Sequence, residues 1–231
     1  MASSRILSGF AALLLAGVAS PLHADNLKDG LVAHWPLNQI DGDKFKDLSG
    51  NGRDATGDGV EIVDGRGGSV AAFNGSTSVV YVPDEEVFEV RGDYSVSFWI
   101  RIPVDAERDG PIYAQPGFVI ANFRGTLRIT LRNPAYPNTG YADLMGPKIN
   151  DGEWHQVVFS YMPDAAEGVL FLDAQEAGRG RFPHKPEVSA PTTVGFIGRA
   201  HLQGELSDLR VYSRALDIVD AAALHEAKVS P

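Results

Sequence analysis

The fold class of this chain follows from the run Tyr94-Ser95-Val96-Ser97-Phe98-Trp99-Ile100-Arg101-Ile102. Large apolar residues occupy every second position, and serine, tryptophan and arginine fill the positions between them. Successive side chains of a β-strand point to opposite faces, so this alternation at period two predicts a strand. It is the clearest strand signal in the sequence.

Shorter runs of the same kind lie on both sides of it, separated by glycine, proline and aspartate. The predicted strands cover residues 31–35, 69–73, 78–82, 118–122, 127–132, 141–145, 154–161, 169–172, 193–197 and 206–212. Asn74-Gly75-Ser76 predicts a hairpin between the second and third of these, and Arg124-Gly125 joins the fourth to the fifth. One helix is expected near the end of the chain, capped by Asp217.

Many short strands without helices between them predict an all-β antiparallel sandwich with at most one or two short helices. Parallel α/β folds need helical crossovers, which the sequence does not offer. No internal repeat or low-complexity linker divides the chain. We therefore expect one domain over residues 25–231.

The first 24 residues have the pattern of a secretory signal peptide. Arg5 supplies a positive start, residues 6–18 are apolar but too short to span a bilayer, and Ala24 provides a small residue at the cleavage position. We expect removal of residues 1–24 and a soluble protein that is secreted or periplasmic.

Composition excludes several classes of function. The chain contains no cysteine, which excludes thiol catalysis, cysteine-ligated metals and disulfides. Its formal net charge is −10, which repels nucleic acid and anionic membranes. We therefore expect no nucleic-acid partner and no membrane insertion, whereas divalent cations and neutral ligands suit this charge.

A polar loop at Lys46-Asp47-Leu48-Ser49-Gly50-Asn51-Gly52 is rich in oxygen atoms. Glycine and asparagine tolerate positive φ, and aspartate and serine side chains accept hydrogen bonds from nearby backbone N–H groups. Such a loop turns sharply, holds a hard cation, or does both.

A series of motifs in fixed order then resembles a known family. The motifs are GLVAHWPL (30–37), DLSGNGRDAT (47–56), AFNG (72–75), YSVSFWI (94–100), GEWHQVVFSY (152–161), VLFLD (169–173), FIG (196–198), GELSDLRVY (204–212) and RAL (214–216). Each motif is weak alone. Their order resembles the laminin-G-like domains of the concanavalin A-like lectin/glucanase superfamily, especially the bacterial secreted type, over essentially all of residues 25–231.

The resemblance implies a jelly-roll of two curved antiparallel sheets, and a binding module more often than an enzyme. It also implies a structural calcium ion where the polar loop meets the last strand, with Asp47, Asn51 and Asp208 as ligands. Calcium takes about six to eight oxygen ligands, which these side chains and loop carbonyls would supply. The alternative is that Asp208 pairs with a neighbouring arginine or caps the N–H groups of the loop.

The chain departs from the family pattern at two places. Asn38 stands where relatives often have an aspartate after the first tryptophan, which weakens the case for calcium. Asp173-Ala174 replaces a common Asp-Gly pair in a late hairpin, so a different type of turn is expected there.

An enzyme of the same fold, a glycosidase or a lyase, is the rival interpretation. Retaining glycosidases need two carboxyl groups about 5–5.5 Å apart, and in this fold they lie on one strand in a Glu-x-Asp-x-x-Glu run. The chain has no such run, and Glu205 and Asp208, three apart on a strand, are expected to face opposite ways. His155 is interpreted as the polar end of a strand. We expect no catalytic residues.

The strand at 127–132 carries the candidate ligand site. Leu127, Ile129 and Leu131 form one face, so Arg128 and Arg132 share the other face with Thr130. Arginine forks suit carboxylate or sulfate, and the following loop adds aromatic and amide groups. The candidate ligand-binding residues are Arg128, Arg132, Tyr136, Asn138 and Tyr141. The alternative is that the arginines pair with acids of an adjacent strand.

These observations predict a secreted, non-catalytic module that binds an extracellular or cell-surface glycan. A protein-binding or adhesion module is a further alternative, and Trp35, Trp99 and Trp154 are expected in the core.

Overall fold

The structure is a computed structural model that describes residues 26–83, 88, 90–106, 109–133, 135–136, 138–186 and 191–227. Within these residues two antiparallel sheets pack face to face, and one short helix closes the outer face of the first sheet. The predicted all-β jelly-roll sandwich is confirmed. The predicted signal peptide at residues 1–24 lies outside the described residues.

Strands are numbered in chain order. The first sheet has the order β14-β13-β12-β7-β18-β5-β4, with β1 also paired to β18. Its strands are β1 (Leu31–Trp35), β4 (Glu61–Gly65), β5 (Gly68–Asn74), β7 (Tyr94–Arg101), β12 (Trp154–Met162), β13 (Glu167–Leu172), β14 (Gln175–Arg181) and β18 (Gln203–Tyr212).

The second sheet has the order β11-β10-β9-β8-β15-β6-β3-β2. Its strands are β2 (Lys44–Phe45), β3 (Ala55–Asp58), β6 (Val79–Tyr81), β8 (Gly110–Gln115), β9 (Phe118–Phe123), β10 (Thr126–Arg132), β11 (Tyr141–Lys148) and β15 (Thr193–Val194). A separate hairpin of β16 (Phe196–Ile197) and β17 (Ala200–His201) lies against β8.

The main core lies between the two sheets. Val96, Phe98 and Ile100 of β7 enter it from the first sheet, and Ile129 of β10 enters it from the second. These are the apolar positions of the period-two patterns, so the strands form because one face of each is buried against the opposite sheet.

The other face of β7 is also buried, and helix α1 (Ile218–Glu226) lies on that side of the sheet, where its His225 stacks on Trp99 of β7. Leu216 and Leu224 pack there against Val158, in a second apolar cluster. Asp217 caps the helix as predicted: its side chain accepts hydrogen bonds from two backbone N–H groups of the first turn.

The predicted hairpin at Asn74-Gly75-Ser76 is wrong. β5 pairs with β4 and β18 in the first sheet, whereas β6 pairs with β3 and β15 in the second. The connection therefore passes from one sheet to the other. The hairpin at Arg124-Gly125 is confirmed, since β9 and β10 are antiparallel neighbours.

Two further expectations are corrected. The predicted strand at 193–197 is split at Gly195, whose φ of 79° breaks the extended run. Asp173 and Ala174 have φ of 49° and 61°, so both keep the left-handed conformation that an Asp-Gly hairpin turn would use. No different turn is adopted, and Ala174 carries the strain that glycine would avoid.

Among the described residues, no helix is both long and apolar enough to cross a membrane.

Candidate ligand-binding groove

A groove of about 370 Å³ lies on the outer face of the second sheet. Its floor is formed by outward side chains of two central strands, Pro111 of β8 with Val119 and Ala121 of β9. This volume is in the range of small-molecule sites in proteins, which run from about 300 to about 1,000 Å³. The groove is therefore large enough for a small ligand or a segment of a polymer.

One wall is built by β10 and β11. Arg128 and Thr130 of β10 project outward because Leu127, Ile129 and Leu131, which alternate with them, are buried. Tyr141 of β11 lies on the same face, since it is directly opposite Arg132 in the strand register. Tyr141 is 53% exposed, so its ring is available to a ligand.

The opposite wall is the β16–β17 hairpin, through Ile197 and Ala200. This hairpin approaches β8 closely because residue 110 is a glycine. A Cβ added at Gly110 would lie 2.7 Å from the carbonyl oxygen of His201, which is closer than real Cβ contacts allow. Gly110 therefore permits the second wall to form.

Arg128 is fixed in place by its neighbours. Its Nη2 lies 2.6 Å from Oδ2 of Asp143 on β11, and it also donates a hydrogen bond to the hydroxyl of Tyr141. Its guanidinium carbon lies 4.7 Å from the centre of the Phe123 ring, a cation–π contact. Arg128 thus pairs with an acid of an adjacent strand, as the alternative interpretation predicted.

Asp143 is correspondingly held ionised. Burial raises the pKa of its carboxyl group, but hydrogen bonds from Arg128 and Thr130 outweigh burial and keep the pKa below its usual range. The Thr130 hydroxyl donates to Oδ1 of Asp143 at 2.7 Å. A carboxylate in this state accepts hydrogen bonds and does not serve as a proton donor near neutral pH.

The remaining predicted ligand residues lie beyond the groove. Arg132 is exposed and directly opposite Tyr141 in the strand register. Tyr136 is 47% exposed, and its ring stacks on His184 with centroids 4.0 Å apart. Asn138 is exposed in the same loop. The structure therefore brings Arg128 and Tyr141 together in the groove, and places Arg132, Tyr136 and Asn138 at or beyond its end.

Sequence reasoning missed the floor and the second wall. Val119, Ala121 and Phe123 alternate with the buried residues Phe118 and Ile120, so β9 has apolar side chains on its outward face as well. Apolar residues on both faces of one strand indicate an outer surface that contacts a ligand, and this pattern is present in the sequence of β9.

The predicted metal ligand Asp47 closes its own loop. Its Oδ1 accepts the backbone N–H groups of His34 at 2.9 Å and Ser49 at 2.8 Å. Its Oδ2 accepts the Ser49 hydroxyl at 2.8 Å and the Arg53 N–H at 2.9 Å. Burial raises the pKa of Asp47, and these hydrogen bonds outweigh it, so the pKa is lowered.

Asn51 and Asp208 are engaged in different ways. The Asn51 amide donates to the carbonyl oxygens of Leu31 and Val32, at 3.0 and 2.9 Å. Asp208 is 2% exposed, and its Oδ1 lies 2.6 Å from Nε2 of His34. Arg210 also hydrogen-bonds the Asp208 carboxylate, at 3.0 and 3.1 Å. His34 thus connects Asp47, through its backbone, to Asp208, through its ring.

This arrangement does not fit a calcium ion. The carboxylate oxygens of Asp47 and Asp208 face hydrogen-bond donors, whereas calcium needs about six to eight oxygen ligands turned toward it. Within the part of the chain that the structure describes, no group of three or more His, Cys, Asp or Glu side chains is arranged to hold a metal ion. Calcium binding stays a prediction from the family resemblance.

Two residues from the sequence analysis lie on the first sheet. His155 lies between two carboxylates, with Nδ1 2.8 Å from Asp173 and Nε2 3.1 Å from Asp151. Glu205 forms an ion pair of 2.6 Å with Arg101. β18 has a bulge between Ser207 and Arg210, where Asp208 takes a φ of 55°.

The tryptophans differ in position. Trp35 is fully buried in the main core, as predicted. Trp99 is buried on the outer face of the first sheet, between the guanidinium of Arg66 and the ring of His225. Trp154 is only partly buried, so the prediction of a core position is wrong for it.

Two antiparallel sheets packed face to face, with a groove across the outer face of one of them, define a lectin-like β-sandwich. The chain belongs to the concanavalin A-like lectin/glucanases superfamily, since a laminin G-type model of that superfamily matches residues 74–218, more than half of the sequence.

The similar proteins include a bacterial toxin. Paraclostridial mosquitocidal protein 1 of Paraclostridium bifermentans is 40% identical over 81 residues, which make up 33% of this chain and 6% of that protein. The solved binding domain of the same toxin has a TM-score of 0.70 at 21% identity, and the match covers 86% of this chain and 52% of that one.

Botulinum neurotoxin domains share the fold. The receptor-binding domain of the C/D mosaic serotype has a TM-score of 0.68 at 16% identity, over 86% of this chain and 51% of that chain. A structure of botulinum neurotoxin type C, whose cell entry depends upon interaction with two ganglioside molecules, has a TM-score of 0.69 at 15% identity. The match covers 87% of this chain and 52% of that chain. This chain spans about half the length of these solved domains.

Proposed function

We propose that this protein is a non-catalytic binding module and that its ligand is a glycan held in the groove of the second sheet. The observation that carries the proposal is the groove itself, which combines an apolar floor with hydrogen-bonding groups along one wall. Sugars present both apolar C–H faces and hydroxyl groups, so they suit a site with aromatic, apolar and planar polar groups together.

The comparisons support a binding role. The solved relatives are binding or receptor-binding domains, and one comes from a toxin that interacts with ganglioside molecules. Because this chain spans about half of those domains, their partners are a guide to ligand class and not an assignment.

The acids near the groove and on the last strand support the absence of catalysis. A glycosidase needs a carboxylic acid with a raised pKa to protonate the leaving group. Asp143 has a lowered pKa, and Glu205 is paired with Arg101 on the other sheet. A depolymerising enzyme of the same fold is the rival proposal, and release of reducing ends or unsaturated products from a bound polysaccharide would establish it.

We further propose that the partner is extracellular or lies on a cell surface. This part of the proposal rests on the signal peptide predicted over residues 1–24. The net charge of −10 supports a partner other than nucleic acid.

The test is binding of the full chain to an array of glycans, with and without calcium. Tyr141→Ala removes an exposed ring from the groove, whereas Tyr81→Ala is the matched control because Tyr81 is 43% exposed on the same sheet but does not line the groove. We expect Tyr141→Ala to weaken glycan binding by about tenfold, the effect of about 1.4 kcal/mol, and Tyr81→Ala to leave it unchanged. Binding to no glycan, or equal losses in both variants, would contradict the proposal.

A further inference from the structure

The arginine that lines the groove is already ion-paired. Arg128 is paired with Asp143, whose second oxygen accepts the hydroxyl of Thr130. Asp109 lies at one end, where it accepts the backbone N–H of Arg124 at 2.5 Å. Among the described residues that line the groove, the charged side chains are therefore one carboxylate and one guanidinium, and that guanidinium already has a counter-charge.

We infer that the groove selects an uncharged saccharide over an acidic or sulfated one, an inference that rests on the proposed glycan-binding function. An anionic group would meet the carboxylate of Asp109, and Nη2 of Arg128 is already engaged by Asp143. Burying a charge beside a like charge is unfavourable, and the existing pair is a charge-assisted hydrogen bond.

Sugar hydroxyls match the groups that the wall presents. A hydroxyl donates to a carboxylate and also accepts from an N–H group. Asp109 supplies an acceptor at the groove, and Thr130 and Tyr141 supply hydroxyl groups. A sulfate or carboxylate offers acceptors alone, so it would leave Asp109 facing another acceptor.

The apolar surface fits the same class of ligand. Val119, Ala121 and Ile197 present a floor and a wall without charge, suited to the C–H face of a sugar ring. Tyr141 stands beside them with its ring exposed and its hydroxyl held by Arg128. Its ring is therefore oriented before a ligand arrives, which lowers the entropic cost of binding.

Arg132 provides an internal contrast. It lies on the same strand face, is exposed, and forms no ion pair with any described residue. It does not line the groove. If binding depended on an anionic ligand, Arg132 would contribute to it, whereas an uncharged ligand in the groove leaves it uninvolved.

The experiment measures binding of the full chain to neutral polysaccharides and to uronate-containing, sulfated and sialylated glycans. We expect binding to neutral glycans that changes less than about twofold between about 50 mM and about 500 mM salt, since no net charge is neutralised. Arg128→Ala should weaken that binding about tenfold or more, and Arg132→Ala, the matched control, should not.

A gain of function gives a second, independent readout. Asp143→Asn frees the Arg128 fork from its counter-charge, so we expect this variant to gain salt-sensitive binding to anionic glycans. Circular dichroism and melting curves check that each variant is folded.

The outcomes separate the two proposals. Binding restricted to anionic glycans, lost steeply with salt and lost in Arg132→Ala, would overturn the inference and leave the glycan-binding function standing. Binding to no glycan by the folded protein would overturn the proposed function itself.

Discussion

Nε2 of His34 lies 2.6 Å from Oδ1 of Asp208, and this buried contact joins the first strand of the sandwich to the last. Arg210 completes the cluster by hydrogen-bonding the same carboxylate. The backbone N–H of His34 also holds Asp47, so one residue links the polar loop to the C-terminal strand. The first and last strands are thus connected by hydrogen bonds, in the region where the resemblance implied a metal.

Asp208→Ala should be strongly destabilising. The substitution leaves the guanidinium of Arg210, which is 8% exposed, without its carboxylate partner. Removing one partner of a buried ion pair lowers the free energy of unfolding by about 3–5 kcal/mol. Glu205→Ala is the matched control, since it breaks a more exposed Arg–Glu pair on the same strand and should cost about 1 kcal/mol or less. Urea unfolding measures both. Equal losses would contradict the structural role assigned to Asp208.

Asp47→Asn distinguishes hydrogen-bonded loop closure from metal binding. If hydrogen bonds alone close the loop, as the geometry indicates, the variant should lose about 1–3 kcal/mol to the same extent in calcium and in chelator. Melting curves of metal-stripped protein, with and without added calcium, supply the comparison. A melting temperature that rises with calcium in wild type, but not in Asp47→Asn, would establish the ion that the family resemblance implies.

The fold could be predicted because its strands carry their own signal. Tyr94–Arg101 alternates strictly, and its apolar positions are the ones that enter the main core. The pairing of β5 and β6 could not be predicted, because Asn74 closes the intervening loop locally. Its side-chain oxygen accepts the N–H groups of Ser76 and Thr77, whichever sheet the chain enters next.

Part of the groove was visible in sequence and part was not. Arg128 and Tyr141 were predicted from one strand and the loop that follows it, since they are near in sequence. Ile197 and Ala200 reach the groove only through the sheet order, which places the β16–β17 hairpin beside β8. A local pattern cannot report that long-range packing.

Ala174→Gly should stabilise the protein. Ala174 has a φ of 61°, and the left-handed conformation costs a residue with a Cβ about 1–2 kcal/mol. Glycine relieves this strain, but its greater conformational entropy in the unfolded chain offsets part of the gain. We therefore expect the free energy of unfolding to rise by about 0.5–1 kcal/mol. Ala177→Gly, in β14 and outside the positive-φ region, is the control and should lose a similar amount. Chemical denaturation checks the signs, and a loss in Ala174→Gly would refute the strain.

His155 should make stability depend on pH. Burial lowers its pKa, but hydrogen bonds and charge from Asp173 and Asp151 outweigh burial, and the pKa is raised. A raised pKa means that the folded state binds the proton more tightly. The stabilisation is therefore fully present below the unfolded value of about 6.5 and is lost as pH rises through the folded pKa.

The measurement is the free energy of unfolding of wild type minus that of His155→Gln, taken from pH values below about 6.5 to values above the folded pKa of His155. Since both aspartates are partly exposed, we expect the difference to shrink by about 1 kcal/mol as the imidazolium loses its proton. Asp151→Asn should reduce this slope without abolishing it, because Asp173 remains. A difference that is flat with pH would show that the imidazole contributes no charge.

Asp220→Ala should destabilise the packing of helix α1 on the sandwich more than Asp217→Ala, which removes the helix cap. Asp220 is 4% exposed and accepts hydrogen bonds from both terminal nitrogens of Arg214, at 2.6 and 2.9 Å, and from the amide of Asn26 at 2.8 Å. It also completes the capping box with Asp217. Removing a buried acceptor of charge-assisted hydrogen bonds costs about 1.5–3 kcal/mol, whereas Asp217→Ala removes only the cap, at about 1 kcal/mol.

Urea unfolding ranks the two variants, and hydrogen exchange of the α1 amides should rise more in Asp220→Ala. If Asp217→Ala costs as much or more, the helix is held by its cap and its apolar face, and the Arg214–Asp220 pair contributes little.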